Sequence, residues 1–227
     1  MKPLLKKAEA KEKLTGLSLR VVLTVGIFLA ALAIFAAIAD EMVLEHENHF
    51  DTVVFNWIAP MINPTTTSVM MAITFFGSSP FLFPAYLVLI LFFLFWKKDR
   101  RLSLEIASVA IAGTVLLFSL KTVFHRHRPP NRLIHAVNSF SFPSGHAFSS
   151  FTFFGLLIYL LWKKKSISSV LRWSLTILFF LAACAISFSR VYLHVHYPSD
   201  VIGGFCLCLV WLGTTFWIFQ TLRKKQM

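Results

Sequence analysis

Long apolar runs separated by short polar clusters pattern this chain from end to end. The first covers Leu19 to Ala39, long enough at about 1.5 Å per residue to cross a hydrocarbon layer of roughly 30 Å. Ala37-Ile-Ala39 resembles a signal-peptide cleavage site, but the run exceeds the roughly 7–15 residues of a signal core, so an uncleaved span is expected. Residues 40–66 follow as a loop with histidines and the acids Asp40, Glu41, Glu45, Glu47 and Asp51. Within it Phe50 to Met61 is apolar and aromatic, yet too short to cross and broken by Pro60 and Pro64. It is expected to lie at the interface or to re-enter at the mouth of a site. The stretch Thr67 to Trp96 is too long for one simple span and is interrupted by Gly77-Ser-Ser-Pro80. The spacing predicts a short helix over Thr66–Phe76 and a span over Pro80–Trp96, with one long helix kinked at Pro80 or Pro84 as the alternative. Further spans fit Leu102–Phe124, Ser144–Trp162, Val170–Phe188 and Ser199–Phe219.

The pattern is therefore all-α, an integral membrane bundle of six transmembrane helices with short interfacial helices in the outer loop region. No internal repeat or linker divides it, and one domain over 1–227 suffices, with a basic tail over 1–18. Composition agrees: 57% of residues are hydrophobic and 14% are charged, about half the charge of an ordinary globular domain. A soluble fold is excluded on that ground. Cys184, Cys206 and Cys208 all lie in apolar runs and imply neither a disulfide framework nor a zinc site.

Charge placement adds orientation. The net charge is +12, but its distribution argues against a nucleic-acid face. Of 22 Lys and Arg, 17 lie in the tail through Arg20, in Lys97–Arg101, in Lys163–Arg172 or in Arg223–Lys225. That is the positive-inside pattern, and it sets both termini in the cytoplasm. Residues 40–66, 125–143 and 189–198 then fall on the outer side of the cell membrane. The other five cations, Lys121, Arg126, Arg128, Arg132 and Arg190, belong to that side.

Three polar clusters carry the candidate chemistry, since ionisable groups against membrane-length apolar runs mark functional sites. Lys121 precedes Arg128-Pro129 by seven residues, bringing a helix-end cation and a loop cation towards one point; Arg suits bidentate phosphate recognition and Lys acts as a point charge. Pro143-Ser144-Gly145-His146 precedes an apolar run. Ser144 fits an N-cap, Gly145 admits close backbone approach, and the free N–H groups form an anion site. Ser189-Arg190 is followed by His196 and Asp200 at i,i+4; a carboxylate on one ring nitrogen leaves the other as base or nucleophile. Pro198 interrupts a regular helix there, so the pair is expected either within a helix or across a helix start. Two histidines, three cations and an anion-binding turn suit phosphoryl transfer. Asp200 is the one carboxylate in the clusters, too few for a two-metal site. No metal, cofactor or obligate protein partner is called for.

In these residues the chain resembles the type 2 phosphatidic acid phosphatase (PAP2) superfamily: Lys121 with Arg128-Pro129, then Pro143-Ser144-Gly145-His146, then Ser189-Arg190 with His196 and Asp200. The resemblance implies a six-helix membrane phosphatase without a metal. It implies His196 as the nucleophile forming a phosphohistidine, oriented by Asp200, and His146 as general acid. Lys121, Arg128 and Arg190, with Ser144, Gly145 and Ser189, would hold the phosphate. His125, His127 and His194 are expected to tune pH response or head-group fit. Arg126 and Arg132 are expected to be exposed, with contact to a second phosphate as the alternative.

The short loops look like compact bacterial members, and Asn63 and Asn138 do not begin glycosylation sequences. Expected substrates are phosphatidylglycerol phosphate first, then undecaprenyl pyrophosphate and phosphatidic acid. A transporter using the cations as an anion site, or a non-catalytic lipid-binding membrane protein, is the alternative from another class. Phosphate release separates these.

Overall fold

The computed structural model describes residues 2–44, 49–134, 139–164 and 166–224. Glu45 and Glu47 of the acidic loop, Asn138, Lys165 and Lys225 lie outside the described residues. Among the described residues eight α-helices follow one another: α1 Lys2–Ala37, α2 His49–Ile58, α3 Pro64–Phe75, α4 Ser79–Leu91, α5 Arg100–Phe124, α6 Gly145–Lys163, α7 Ser169–Tyr192 and α8 Pro198–Lys224. π-Helical turns extend α1 over Ile38–Leu44 and α4 over Phe92–Trp96, and a 3₁₀ turn over Ala59–Met61 follows α2. No strand occurs among the described residues. Six of the segments are long and apolar enough to cross a membrane: Val21–Glu41, Pro64–Trp96, Arg100–Phe124, Gly145–Lys163, Ser169–Tyr192 and Pro198–Lys224.

Local chemistry sets the starts. Asn63 caps α3, accepting from Thr66 N–H, with Pro64 in the first turn. Asp99 caps α5 through Leu102 N–H, and Ser168 caps α7 through Leu171 N–H. Each side-chain oxygen satisfies a donor that the helix itself leaves unpaired. Helix α6 packs on α7 and α8, α1 lies along α8, and α4 joins α5. Apolar side chains such as Val22, Leu29, Val88, Ile111 and Leu178 remain exposed on the outer faces of these helices, as lipid-facing surfaces require.

The stretch from Thr67 to Trp96 divides as expected, into a short helix α3 and a second helix α4 whose π-turn runs on to Trp96; α3 packs on α7 and α4 on α5. The three-residue break between them has a steric cause. A Cβ built on Gly77 would lie 2.3 Å from Ile186 Cγ2 and 3.1 Å from His146 Cδ2, so only glycine lets the chain pass that close. The acidic loop holds α2 over its apolar stretch, a short helix of the kind expected in the outer loop region. Ile58 of α2 joins Val191, Tyr192, Leu193 and Val195 in a buried cluster, with Phe55 packed against it. Helix α2 thus covers the link between α7 and α8.

The bundle ends differ. At one end Glu105 is paired with Arg223 and, at 3.3 Å, with Arg101. Arg172 lies over the Trp162 ring at 5.3 Å there, and Trp96 is exposed, a basic and aromatic rim of the kind that marks a membrane interface. The opposite end gathers the last turns of α5 and α7 with the first turns of α6 and α8.

Candidate active site

Two close approaches build this end. Ser144 N–H donates to the Asp200 carbonyl at 3.0 Å, and a Cβ on Gly204 would lie 2.8 Å from the Ser144 carbonyl oxygen. The beginnings of α6 and α8 are therefore in backbone contact. Ser144 caps α6 at Ala147 N–H at 3.5 Å, and Phe142, with no exposed surface, packs against Ala39 below the turn.

His196 lies in the link just before α8, not within a helix that includes Asp200. The pair is formed across the helix start, with Nδ1 of His196 3.3 Å from Oδ2 of Asp200. The same Oδ2 accepts from Tyr197 N–H at 2.9 Å and from the Ser141 hydroxyl, so Asp200 also caps its own helix. Arg128 Nη1 lies 3.3 Å from His196 Nε2. A guanidinium only donates, so Nε2 is the acceptor and Nδ1 carries the hydrogen towards Asp200. His196 is 1% exposed. Burial pushes its imidazolium down to about 3; Asp200 opposes this, and Arg128 and Lys121 add to it. The ring is neutral at pH 7 with its Nε2 lone pair facing the cations.

The cations converge without carboxylate partners of their own among the described residues. Lys121 Nζ, near the end of α5, donates to the carbonyls of Phe140 at 2.7 Å and Ser141 at 3.1 Å. Arg128 donates to Ser139 O and Val195 O, both at 2.8 Å, and to the Ser139 hydroxyl at 3.0 Å. Burial and the neighbouring Arg132 lower the Arg128 pKa, against the pull of Asp200. Arg190 Nη1 donates to Thr74 Oγ1 at 2.7 Å, while its Nε is buried with no hydrogen-bond partner. His146, in the first turn of α6, lies in the electrostatic field of Arg190, His196, Arg128 and Lys121. Gly145 is close to Lys121, whose Cε would be 3.9 Å from an added Cβ. A cavity of about 300 Å³ opens beside Arg128, lined by Arg126, His127, Arg128, Arg132, Ser139 and Phe140.

Three expectations need correction. Ser189 and Arg190 are not in a loop; α7 runs on to Tyr192, because Leu193 N–H still bonds to Ser189 O and the helix stops only where His194 takes a left-handed φ of 53°. The Ser189 hydroxyl is turned back into its helix, donating to Ile186 O at 2.6 Å. Arg126 is not exposed. It is 7% exposed and donates to Asp200 Oδ1 at 2.7 Å and to Asp51 Oδ2 at 2.8 Å, with its guanidinium 4.1 Å from the centre of the Tyr197 ring. Neither Asp51 nor Ser141 stood out in the sequence. Asp51 was one acid among five in a loop, and only folding brings it against α8.

With this geometry in hand, the comparisons are consistent. The PAP2 superfamily model matches residues 101–224. Phosphatidylglycerophosphatase B of Bacillus subtilis (strain 168) is 32% identical over 149 residues, covering 65% of this chain and 72% of that protein. Undecaprenyl-diphosphatase BcrC of the same organism is 27% identical over 168 residues, covering 71% and 79%. The crystal structure of a transmembrane PAP2-type phosphatidylglycerolphosphate phosphatase from Bacillus subtilis superposes with a TM-score of 0.72 at 29% identity, over 89% of this chain and 96% of that one. The chain therefore belongs to the PAP2 superfamily and is a membrane-bound lipid phosphate phosphatase of that family.

Proposed function

We propose that the protein removes the terminal phosphate of phosphatidylglycerol phosphate, through a phosphohistidine on His196 and without a metal ion. The observation that carries a phosphate at this site is its uncompensated positive charge. Among the described residues Lys121, Arg128 and Arg190 hydrogen-bond only to carbonyls, hydroxyls and a neutral imidazole, and Arg190 Nε is buried without an acceptor. Buried charge of one sign without a counter-ion is costly, and a phosphate supplies both the charge and the acceptors.

In the first step the Nε2 lone pair of His196 attacks phosphorus, displacing the Arg128 N–H onto an equatorial oxygen. The P–O bond to the lipid breaks, its electron pair leaves with the alkoxide, and His146, protonated once the phosphate's negative charge lies beside it, gives that oxygen its proton. Asp200 holds the Nδ1 hydrogen as the ring gains charge. In the second step neutral His146 takes a proton from water, the water oxygen attacks phosphorus, and the P–N bond returns its pair to Nε2. Lys121, Arg128, Arg190, the Ser144 hydroxyl and the Gly145 amide at the N-terminus of α6 offset the charge on the oxygens. Ser189 keeps Arg190 in register from within α7.

Two relatives and a solved structure divide the substrate question. Phosphatidylglycerophosphatase B and the solved phosphatidylglycerolphosphate phosphatase favour the first lipid; an undecaprenyl-diphosphatase relative favours undecaprenyl pyrophosphate as a second substrate. Both lipids present a terminal phosphoryl group at the interface. The site is assigned to the outer face, with both termini cytoplasmic, because the basic loops gather at the other end of the bundle.

The test is inorganic phosphate release from phosphatidylglycerol phosphate by the purified protein in EDTA, beside His196→Ala. Wild-type turnover in chelator and none in the variant is expected; equal turnover by both would sink the nucleophile assignment. Specificity constants for the two lipids in mixed micelles are expected to favour phosphatidylglycerol phosphate.

A further inference from the structure

Behind the His196–Asp200 pair lies a second layer of ionised groups that the mechanism above does not use. Asp51, in the first turn of α2, accepts from Ser199 N–H at 2.8 Å, from the Ser199 hydroxyl at 2.7 Å and from Arg126 Nη2 at 2.8 Å. Arg126 Nη1 spans Ser199 Oγ at 2.8 Å and Asp200 Oδ1 at 2.7 Å. Asp51, Ser199 and Asp200 are each 1% exposed or less. Every oxygen of both carboxylates thus has a donor, and the chain runs without a gap from α2 to the imidazole.

We propose that Asp51 and Arg126 are positioning residues for the nucleophile, holding Asp200 in the rotamer that presents Oδ2 to His196 and fixing the charge behind it. The proposal rests on the reading of His196 as nucleophile. The geometric part is direct: with Oδ1 held by Arg126, Asp200 has Oδ2 alone to offer to His196, Ser141 and Tyr197 N–H. The electrostatic part follows from counting signs. One guanidinium between two carboxylates leaves one net negative charge. When Nε2 bonds to phosphorus the ring becomes cationic, and that single negative charge cancels it. Without Asp51, Arg126 would already neutralise Asp200, and the charged ring would face Lys121, Arg128 and Arg190 uncompensated. Helix α2 enforces the arrangement, since Phe55 stacks on His194 with centroids 4.4 Å apart and lies 6.0 Å from Tyr197.

The experiment compares Asp51→Asn, the double variant Asp51→Asn/Arg126→Gln and His196→Ala in phosphate release at pH 7, with inhibition by orthovanadate and by inorganic phosphate. Vanadate takes the five-coordinate geometry of the transition state, whereas phosphate reports ground-state binding. Asp51→Asn is expected to lower kcat by roughly tenfold or more with KM little changed, and to weaken vanadate far more than phosphate. The double variant restores one net negative charge while the glutamine amide keeps a donor for Asp200 Oδ1, and it is expected to recover most of the lost vanadate-to-phosphate preference. A kcat and vanadate preference unchanged in Asp51→Asn, or a kcat that falls only in proportion to lost folded protein with both inhibition constants unchanged, would overturn the proposal. If Asp51→Asn does not fold, the double variant decides alone: a vanadate preference far below wild type counts against it. Turnover surviving in His196→Ala would instead refute the nucleophile reading on which it rests.

Discussion

His196 carries a consequence that reaches beyond catalysis. Its burial holds the imidazolium down to about 3 in the folded protein, against about 6.5 in an unfolded chain. Between those values the unfolded chain binds the extra proton, so folding stability rises with pH through the window and is lost as pH falls from about 6.5 towards 3. Denaturation of the detergent-solubilised protein is expected to show that acid-side decline, with a shallower slope in His196→Gln; identical slopes would mean that another group sets it. The neutral ring at pH 7 is legible only from the fold, because nothing about a histidine four residues before an aspartate reveals how much water surrounds it. Arg126 makes the same point from the other side. Two residues from Arg128 in sequence, it differs from it entirely in role, one guanidinium turned to carboxylates and the other to the imidazole and main-chain carbonyls.

At the level of elements, the contact between the starts of α6 and α8 fixes where the anion-binding turn sits relative to Asp200. Gly204 is what allows it. The atom an added Cβ would strike is the Ser144 backbone carbonyl, with Phe148 N a further close neighbour at 3.2 Å. Gly204→Ala is accordingly expected to destabilise the protein by about 1–3 kcal/mol through overpacking and to cut turnover by displacing Ser144. Gly26→Ala, where an added Cβ meets nothing within 4 Å, is the control and is expected to leave both unchanged. Thermal unfolding and phosphate release on the two variants check this. The break at Gly77 follows the same logic, and its Gly-Ser-Ser-Pro composition was readable in the sequence. Its partners Ile186 and His146 were not, since they come from other helices.

For the whole molecule, the arrangement of charge predicts a topology. The Lys97–Arg101 turn and the last turn of α8 at Arg223 lie at one end of the bundle, and residues 125–134 lie at the other. In a background lacking Cys184, Cys206 and Cys208, a cysteine placed at Lys98 is expected to react with a membrane-impermeant maleimide only after the cells are opened. One placed at Arg132 is expected to react in intact cells. The reverse pattern would put the site on the cytoplasmic face. That outcome would exclude the outer-leaflet assignment while leaving the chemistry of the site intact.

The sequence by itself determined the number of spans, the helical class and the three clusters with their family, because each depends on local composition and on short spacings along one chain. A run of apolar residues crosses a bilayer whatever its neighbours are, and a Pro-Ser-Gly-His turn can cap a helix in any surroundings. Only the tertiary structure decided that Ser189 and Arg190 extend α7, that His196 meets Asp200 across a helix start, and that Asp51 and Arg126 stand behind them. Asp51 and Arg126 reach their partners across 74 or more positions, while the extension of α7 and the His196–Asp200 pair turn on which nearby carbonyl or carboxylate the packed backbone brings within reach. Burial and hydrogen bonding of that kind are properties of the packed molecule, and no local pattern encodes them.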